Sequence, residues 1–99
     1  MDSGAEIIWR NEAKEDFRDA LHYLSRSSLR YAEQWVDELN RKLTLLTTFP
    51  EMGRIVSEKN TSFFREILVG NYRVLYIYLN SKITVVAIRH SASDLGRIQ

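Results

Sequence analysis

The chain has 99 residues, a formal net charge of +1 and no cysteine. Disulfides and zinc–thiolate sites are therefore excluded, and the charge balance gives no global pull towards nucleic acid. With 44% hydrophobic and 27% charged residues, one core can form without covalent staples, so residues 1–99 read as a single domain. No apolar run is long enough to span a membrane, and Met1-Asp2-Ser3-Gly4 is no signal peptide. The chain is expected in the cytoplasm, with no membrane partner, no metal and no cofactor.

Glu6-Ile7-Ile8-Trp9-Arg10 reads as a short strand. Asn11 can cap a helix, and Glu12, Glu15 and Asp16 suit its positive end. Ala13, Phe17, Ala20, Leu21 and Leu24 then recur on one helical face. Ser25-Arg26-Ser27-Ser28 breaks that run, and Ser27 or Ser28 can cap a second helix. Its stripe is Ala32, Trp35, Val36, Leu39, Leu43 and Leu46, and Pro50 stops it near Phe49. The spacing predicts helices over 12–24 and 28–48, joined as an antiparallel hairpin. Residues 50–62 form a polar loop, pinned by Ile55-Val56.

Phe63 to Val69, Tyr72 to Leu79 and Lys82 to His90 are rich in β-branched and aromatic residues. Gly70-Asn71 and Asn80-Ser81 separate them, both tolerant of the positive φ of primed turns. This predicts a three-stranded antiparallel meander in which Val69 pairs with Tyr72, Leu68 with Arg73, Arg73 with Ile88 and Tyr76 with Val85. One face carries Phe64, Leu68, Arg73, Leu75, Ile77, Val86, Ile88 and His90. The other carries Phe63, Arg65, Ile67, Val74, Tyr76, Tyr78, Val85 and Arg89. Both faces are apolar in mid-strand, so both should be at least partly covered. The expected fold class is α+β. An N-terminal edge strand and a two-helix antiparallel hairpin pack on the C-terminal meander.

These segments carry a resemblance. Phe49-Pro50-Glu51-Met52-Gly53-Arg54 looks like the loop after the second helix of ParE-type toxins. Tyr72-Arg73-Val74-Leu75-Tyr76 is similar to the Tyr-Arg-x-x-Tyr strand of the wider ParE/RelE superfamily. His90-Ser91-Ala92-Ser93-Asp94 resembles the His-x-x-x-Asp ending of ParE-like members. Together with the helical hairpin, the match covers essentially the whole chain. The resemblance implies the toxin of a type II toxin–antitoxin pair, forming a hetero-oligomer with a ParD-like antitoxin whose C-terminal segment wraps around it.

Two activities are known in the superfamily. ParE-like members act on DNA gyrase without known nuclease chemistry, whereas RelE-like members cleave messenger RNA in the ribosome. Such cleavage needs a base, an acid and cations around the phosphorane. Arg65, Arg73 and His90 are the candidates here. Ile67 offers no second cation on its strand, and no tyrosine follows Tyr78. The incomplete set favours gyrase inhibition by binding, with Arg73, His90, Asp94 and Arg97 as target contacts. The alternative is a ribosome-dependent endoribonuclease acting on mRNA.

Each candidate also has a plain structural reading. His90 can end a strand and hydrogen-bond a loop carbonyl or Asp94, while His22 lies off the apolar stripe and reads as solvated. Arg65, Arg73 and Arg89 can serve nucleic-acid binding, with Tyr72, Tyr76 and Tyr78 stacking on bases. They can equally serve the sheet, since tyrosine is a preferred strand residue. Trp9 and Trp35 read as core, and Glu12, Glu15, Asp16 and Asp19 as a solvated face.

Overall fold

The computed structural model describes residues 4–92. Its order is β1 (Glu6–Trp9), α1 (Asn11–Ser27), α2 (Leu29–Thr48), β2 (Arg54–Ile55), a short 3-10 turn (Ser57–Lys59), β3 (Phe64–Val69), β4 (Tyr72–Leu79) and β5 (Lys82–His90). The five strands form one sheet in the order β1-β5-β4-β3-β2. The α+β class, the helical hairpin and the meander are as the sequence predicts. β1 does join at an edge, running parallel to β5. β2 lies inside the stretch expected to be loop, and closes the opposite edge against β3. No helix among the described residues is long and apolar enough to cross a membrane.

The helices begin where local chemistry allows. Asn11 is the first helical residue and not the cap; Arg10 holds that position with no side-chain cap bond. At α2 the Ser28 hydroxyl oxygen accepts a hydrogen bond from Tyr31 N at 3.1 Å. An exposed N-cap serine of this kind contributes about 1 kcal/mol, and Ser28→Ala should lower stability by that amount in urea denaturation. Asparagine would leave stability nearly unchanged.

Both helical stripes face the sheet. Ala13, Ala20, Leu24, Ala32, Trp35, Leu39, Leu43 and Leu46 pack on Ile67, Val69, Val74, Tyr76, Ile83, Val85 and Ile88. Phe17 and Leu21 sit at the margin, partly buried. An aromatic chain crosses this layer: Trp9 meets Phe17 edge-on, Phe17 stacks on Trp35, and Trp35 meets Tyr72 edge-on. The far face holds a second cluster, in which Val56 from the segment after β2 packs with Phe64, Leu75, Val86 and Ala87.

The turns differ in type. Gly70 alone has positive φ in the first, matching type II′, whereas Asn80 and Ser81 both do in the second, matching type I′. Val69–Tyr72 and Leu68–Arg73 pair as expected, and so do Tyr76 and Val85. Beyond that point the ladder shifts. Leu75 pairs with Ala87, so Val86 is the extra residue of a β-bulge, and Arg73 pairs with Arg89 instead of Ile88. Ile88 and His90 therefore turn to the helical side and Arg89 to the other, the reverse of the sequence expectation.

The reason is the burial of Arg89. An unbroken ladder would place its guanidinium under the helices beside Tyr72, where a charge is costly. In the bulged register it reaches round the sheet margin to Asp16 and Glu12 of α1. The Asp16 carboxylate also accepts from Ile88 N at 2.9 Å, capping the edge of β5 beyond the end of β1. Two members of the supposed solvated acidic face are thus ion-pair partners.

Candidate functional site

Three side chains carry whatever RNA-cleaving chemistry this chain could have, and the fold separates them. Arg65 lies on the helical side of β3, opposite Tyr76. Its Nη1 donates to Glu51 O at 3.0 Å and to Gly53 O at 2.9 Å. It fastens the Phe49–Gly53 loop to the sheet.

Tyr76 does the same from β4. Its hydroxyl donates to Pro50 O at 2.7 Å and accepts from Gly53 N at 3.0 Å. Burial pushes the Tyr76 phenol pKa up, against the Gly53 hydrogen bond and the Arg65 charge, which both lower it. The side chain is fully buried, so its role is structural.

Arg73 lies on the far face, beside Glu66. Glu66 is only 4% exposed, and nothing in the sequence pattern singles it out. Its Oε2 accepts from Arg54 Nε at 2.9 Å and from Arg54 Nη2. Its Oε1 lies 3.7 Å from Arg73 Nη1 and has no hydrogen-bond partner among the described residues. The hydrogen bond and charge of Glu66 raise the Arg54 pKa above its ordinary value. One carboxylate between two guanidiniums leaves the cluster a single net positive charge and holds Arg73 beside Glu66.

His90 is on the helical side, at the Gly70-Asn71 end. Its ring meets Tyr72 edge-on at 5.6 Å, and its Nδ1 accepts from Ala92 N at 3.4 Å. Its bond is therefore to a backbone N–H and not to a loop carbonyl. Asp94, the other partner considered for it, and Arg97 lie outside the described residues. Tyr72 is pushed up in pKa by burial first, then by the nearby Tyr23 and Tyr31 phenols. The structure thus joins neither Arg73 with His90 nor either with Arg65. Arg73 and His90 do share one end of the sheet, in adjacent cross-strand pairs on opposite faces. The chain leaves β5 there, with Ser91 N donating to Asn71 O at 2.8 Å. His22 is exposed on α1, as expected.

Among the described residues no group of three or more histidine, aspartate or glutamate side chains could hold a metal ion. The residues missed by sequence reading are Glu66 and the Arg65–Tyr76 clasp. The signal for the clasp was present as the Pro50–Gly53 motif, but its bonding partners lie over ten residues away.

Comparison with curated proteins finds no match. Among solved structures, a chain of a chromosomal ParDE TA system from P. aeruginosa aligns with a TM-score of 0.67 at 13% identity, covering 87% of this chain and 95% of its own. That likeness shows the fold. The family model for the ParE toxin of the type II toxin–antitoxin system parDE matches residues 7–95. Nearly the whole chain is matched, in the order strand, helical hairpin and meander, and it belongs to the ParE toxin family of type II toxin–antitoxin systems.

Proposed function

We propose that this ParE-family toxin disables DNA gyrase by binding it, that it does not cut messenger RNA, and that a ParD-like antitoxin neutralises it. The observation carrying this reading is the dispersal of Arg65, Arg73 and His90 to three places, each with partners of its own. General acid–base chemistry requires its groups within hydrogen-bond reach of one substrate. The target contacts are then Arg73 and His90 at the Gly70-Asn71 end, together with the tail that bears Asp94 and Arg97. A binding surface tolerates the placement of Arg73 and His90 on opposite faces, because these two need only share one end of the sheet.

The test is induced expression with separate readouts of DNA supercoiling and messenger RNA integrity. Supercoiling should collapse while the RNA stays intact. Arg73→Ala and His90→Ala should each weaken toxicity modestly, without the roughly hundredfold loss expected of a catalytic acid or phosphate-binding cation. Deleting residues 95–99 should weaken toxicity and leave antitoxin binding in place. Intact toxicity after that deletion, abolished toxicity in both point variants at unchanged stability, and truncated RNA from the parent would instead establish the ribonuclease.

A further inference from the structure

The fold guards every edge of its sheet but one. β2 is only two residues long. Beyond Trp9, the Asp16 carboxylate caps the edge of β5 by accepting from Ile88 N. β1 has no such device. It reads Glu6-Ile7-Ile8-Trp9, without proline or lysine, and no strand among the described residues lies beyond it. Ile8 is 39% exposed, while Ile7 and Trp9 are partly buried against the helical-side core.

The backbone of β1 shows which groups are open. Glu6 N donates to Ser81 O at 3.3 Å and Arg10 N to Val85 O at 3.0 Å. The even-numbered residues therefore bond inward to β5, and by alternation the N–H and C=O groups of Ile7 and Trp9 point outward. Ala5 N lies on the outward side too, but it already donates to Thr47 O at 2.9 Å, at the end of α2. Asn11 opens α1. The open edge thus runs from Ile7 to Trp9. Both of its ends are pinned before any partner arrives, which lowers the cost of pairing.

We propose that this edge pairs with β1 of a second copy of the chain, antiparallel across a two-fold axis at Ile8. The open groups fix the register. With Ile7 opposite Trp9, the two open residues exchange N–H···O bonds on each side of the axis. Centring on Ile7 would set Trp9 against Ala5, whose amide is taken. Centring on Trp9 would set Ile7 against the helical Asn11.

The side chains agree with the register that remains. Arg10 is still extended, so Glu6 of each copy stands opposite Arg10 of the other, an opposite-charge cross-strand pair. Ile8 meets Ile8 at the axis. The strand Glu6-Ile7-Ile8-Trp9-Arg10 is complementary to its own reversal, a pattern that selects a copy of itself over an unrelated strand. On the helical side, Ile7 of one copy stands beside Trp9 of the other. Trp9 lines a cavity of about 360 Å³ with Lys14, Phe17, Arg18, Leu39 and Asn40, which leaves room there. β1 runs beside the Lys82–Val85 half of β5, so in the antiparallel pair the two Gly70-Asn71 ends point in opposite directions and stay open.

The chain has no cysteine, so Ile8→Cys introduces a single thiol. Facing residues of a non-hydrogen-bonded pair have Cα atoms about 4.5 Å apart, within disulfide range. Mild oxidation of this variant should give a linked dimer. Leu29→Cys, at a 64% exposed position at the other end of α2 from Thr47, should not. Sedimentation equilibrium of the full chain should show monomer and dimer in exchange. Ile8→Lys sets two ammonium groups face to face and should weaken dimerisation roughly tenfold or more. Glu6→Arg should weaken it as well, and Glu6→Arg with Arg10→Glu should recover it. Ile8→Lys and Glu6→Arg change exposed side chains and should keep a cooperative melting transition; the cysteine pair decides even where they do not.

A parent that stays monomeric up to about 100 µM, with Ile8→Cys linked no faster than Leu29→Cys, would overturn the proposal. So would a dimer that Ile8→Lys and Glu6→Arg leave intact, since it would lie on another surface. Titration with a cognate ParD-like antitoxin tests the other occupant. If Ile8→Lys weakens that binding and the parent never self-associates, the edge belongs to the antitoxin and the proposal fails.

Discussion

Trp35→Ala should lower the unfolding free energy by about 3–5 kcal/mol, the usual loss for a large aromatic removed from a core. Trp35 is buried at the centre of α2's stripe, stacked on Phe17 and edge-on to Tyr72. Its Nε1 donates to Val69 O at 2.9 Å, at the start of the first hairpin turn. Gly70 follows, and a Cβ there would stand 3.1 Å from Trp35 Cδ1, so the indole and the turn are fitted to each other. A domain of this size has a stability of roughly 5–15 kcal/mol, so the variant should sit near the edge of folding. Urea denaturation followed by far-ultraviolet circular dichroism measures the loss. Trp35→Phe keeps most of the ring contact and drops the hydrogen bond, and should cost less. A loss under about 1 kcal/mol for alanine would mean that the helical hairpin does not pack on the sheet through this residue.

Gly53→Ala should cost about 3–5 kcal/mol, far more than one methyl group suggests. An added Cβ would lie 2.4 Å from the Tyr76 hydroxyl and 2.8 Å from the Glu66 carbonyl oxygen. Neither neighbour is a free side-chain end. Tyr76 is fully buried and the carbonyl belongs to β3. Relief requires the loop to lift, which breaks both Tyr76 hydrogen bonds and the Arg65 bond to Gly53 O. Chemical denaturation followed by far-ultraviolet circular dichroism measures the loss. Wild-type stability in Gly53→Ala would show that Tyr76 and Arg65 do not hold the loop.

The same residues show how far the sequence could be read. The apolar stripes of α1 and α2, the Ser28 cap and both two-residue turns follow from local pattern, because each is fixed by residues within a few positions of itself. β2 could not be read that way: a two-residue strand has no periodicity, and its pairing depends on Glu66 and Arg65. The bulge at Val86 also escaped, since alternation in β5 looks continuous and the choice of register lies with Arg89 and its distant partners in α1. That one shift placed His90 on the opposite face from the one expected. Arg65 was legible as a strand cation but not as the loop's fastening, because a guanidinium bound to carbonyls leaves no mark in composition. Glu66 carries no sequence mark of its burial, because its partners Arg54 and Arg73 lie on the two neighbouring strands.

The parallel pairing of β1 with β5 also sets a clock. Glu6 finds its place opposite Lys82, and Asp16 of α1 finds Ile88 N, so the earliest segments made have their partners in the last strand made. During translation, at roughly 5–20 residues per second, the first strand waits several seconds for a ladder to join. Closing so long a loop also makes this step slow compared with forming the helical hairpin. A nascent chain therefore carries a helical hairpin and no complete sheet, and the Arg73–His90 end assigned to the target comes into being only after β5 has left the ribosome. Any premature stop before β5 should yield an inert fragment, whatever its length, because every such product lacks the strand on which the beginning of the chain closes.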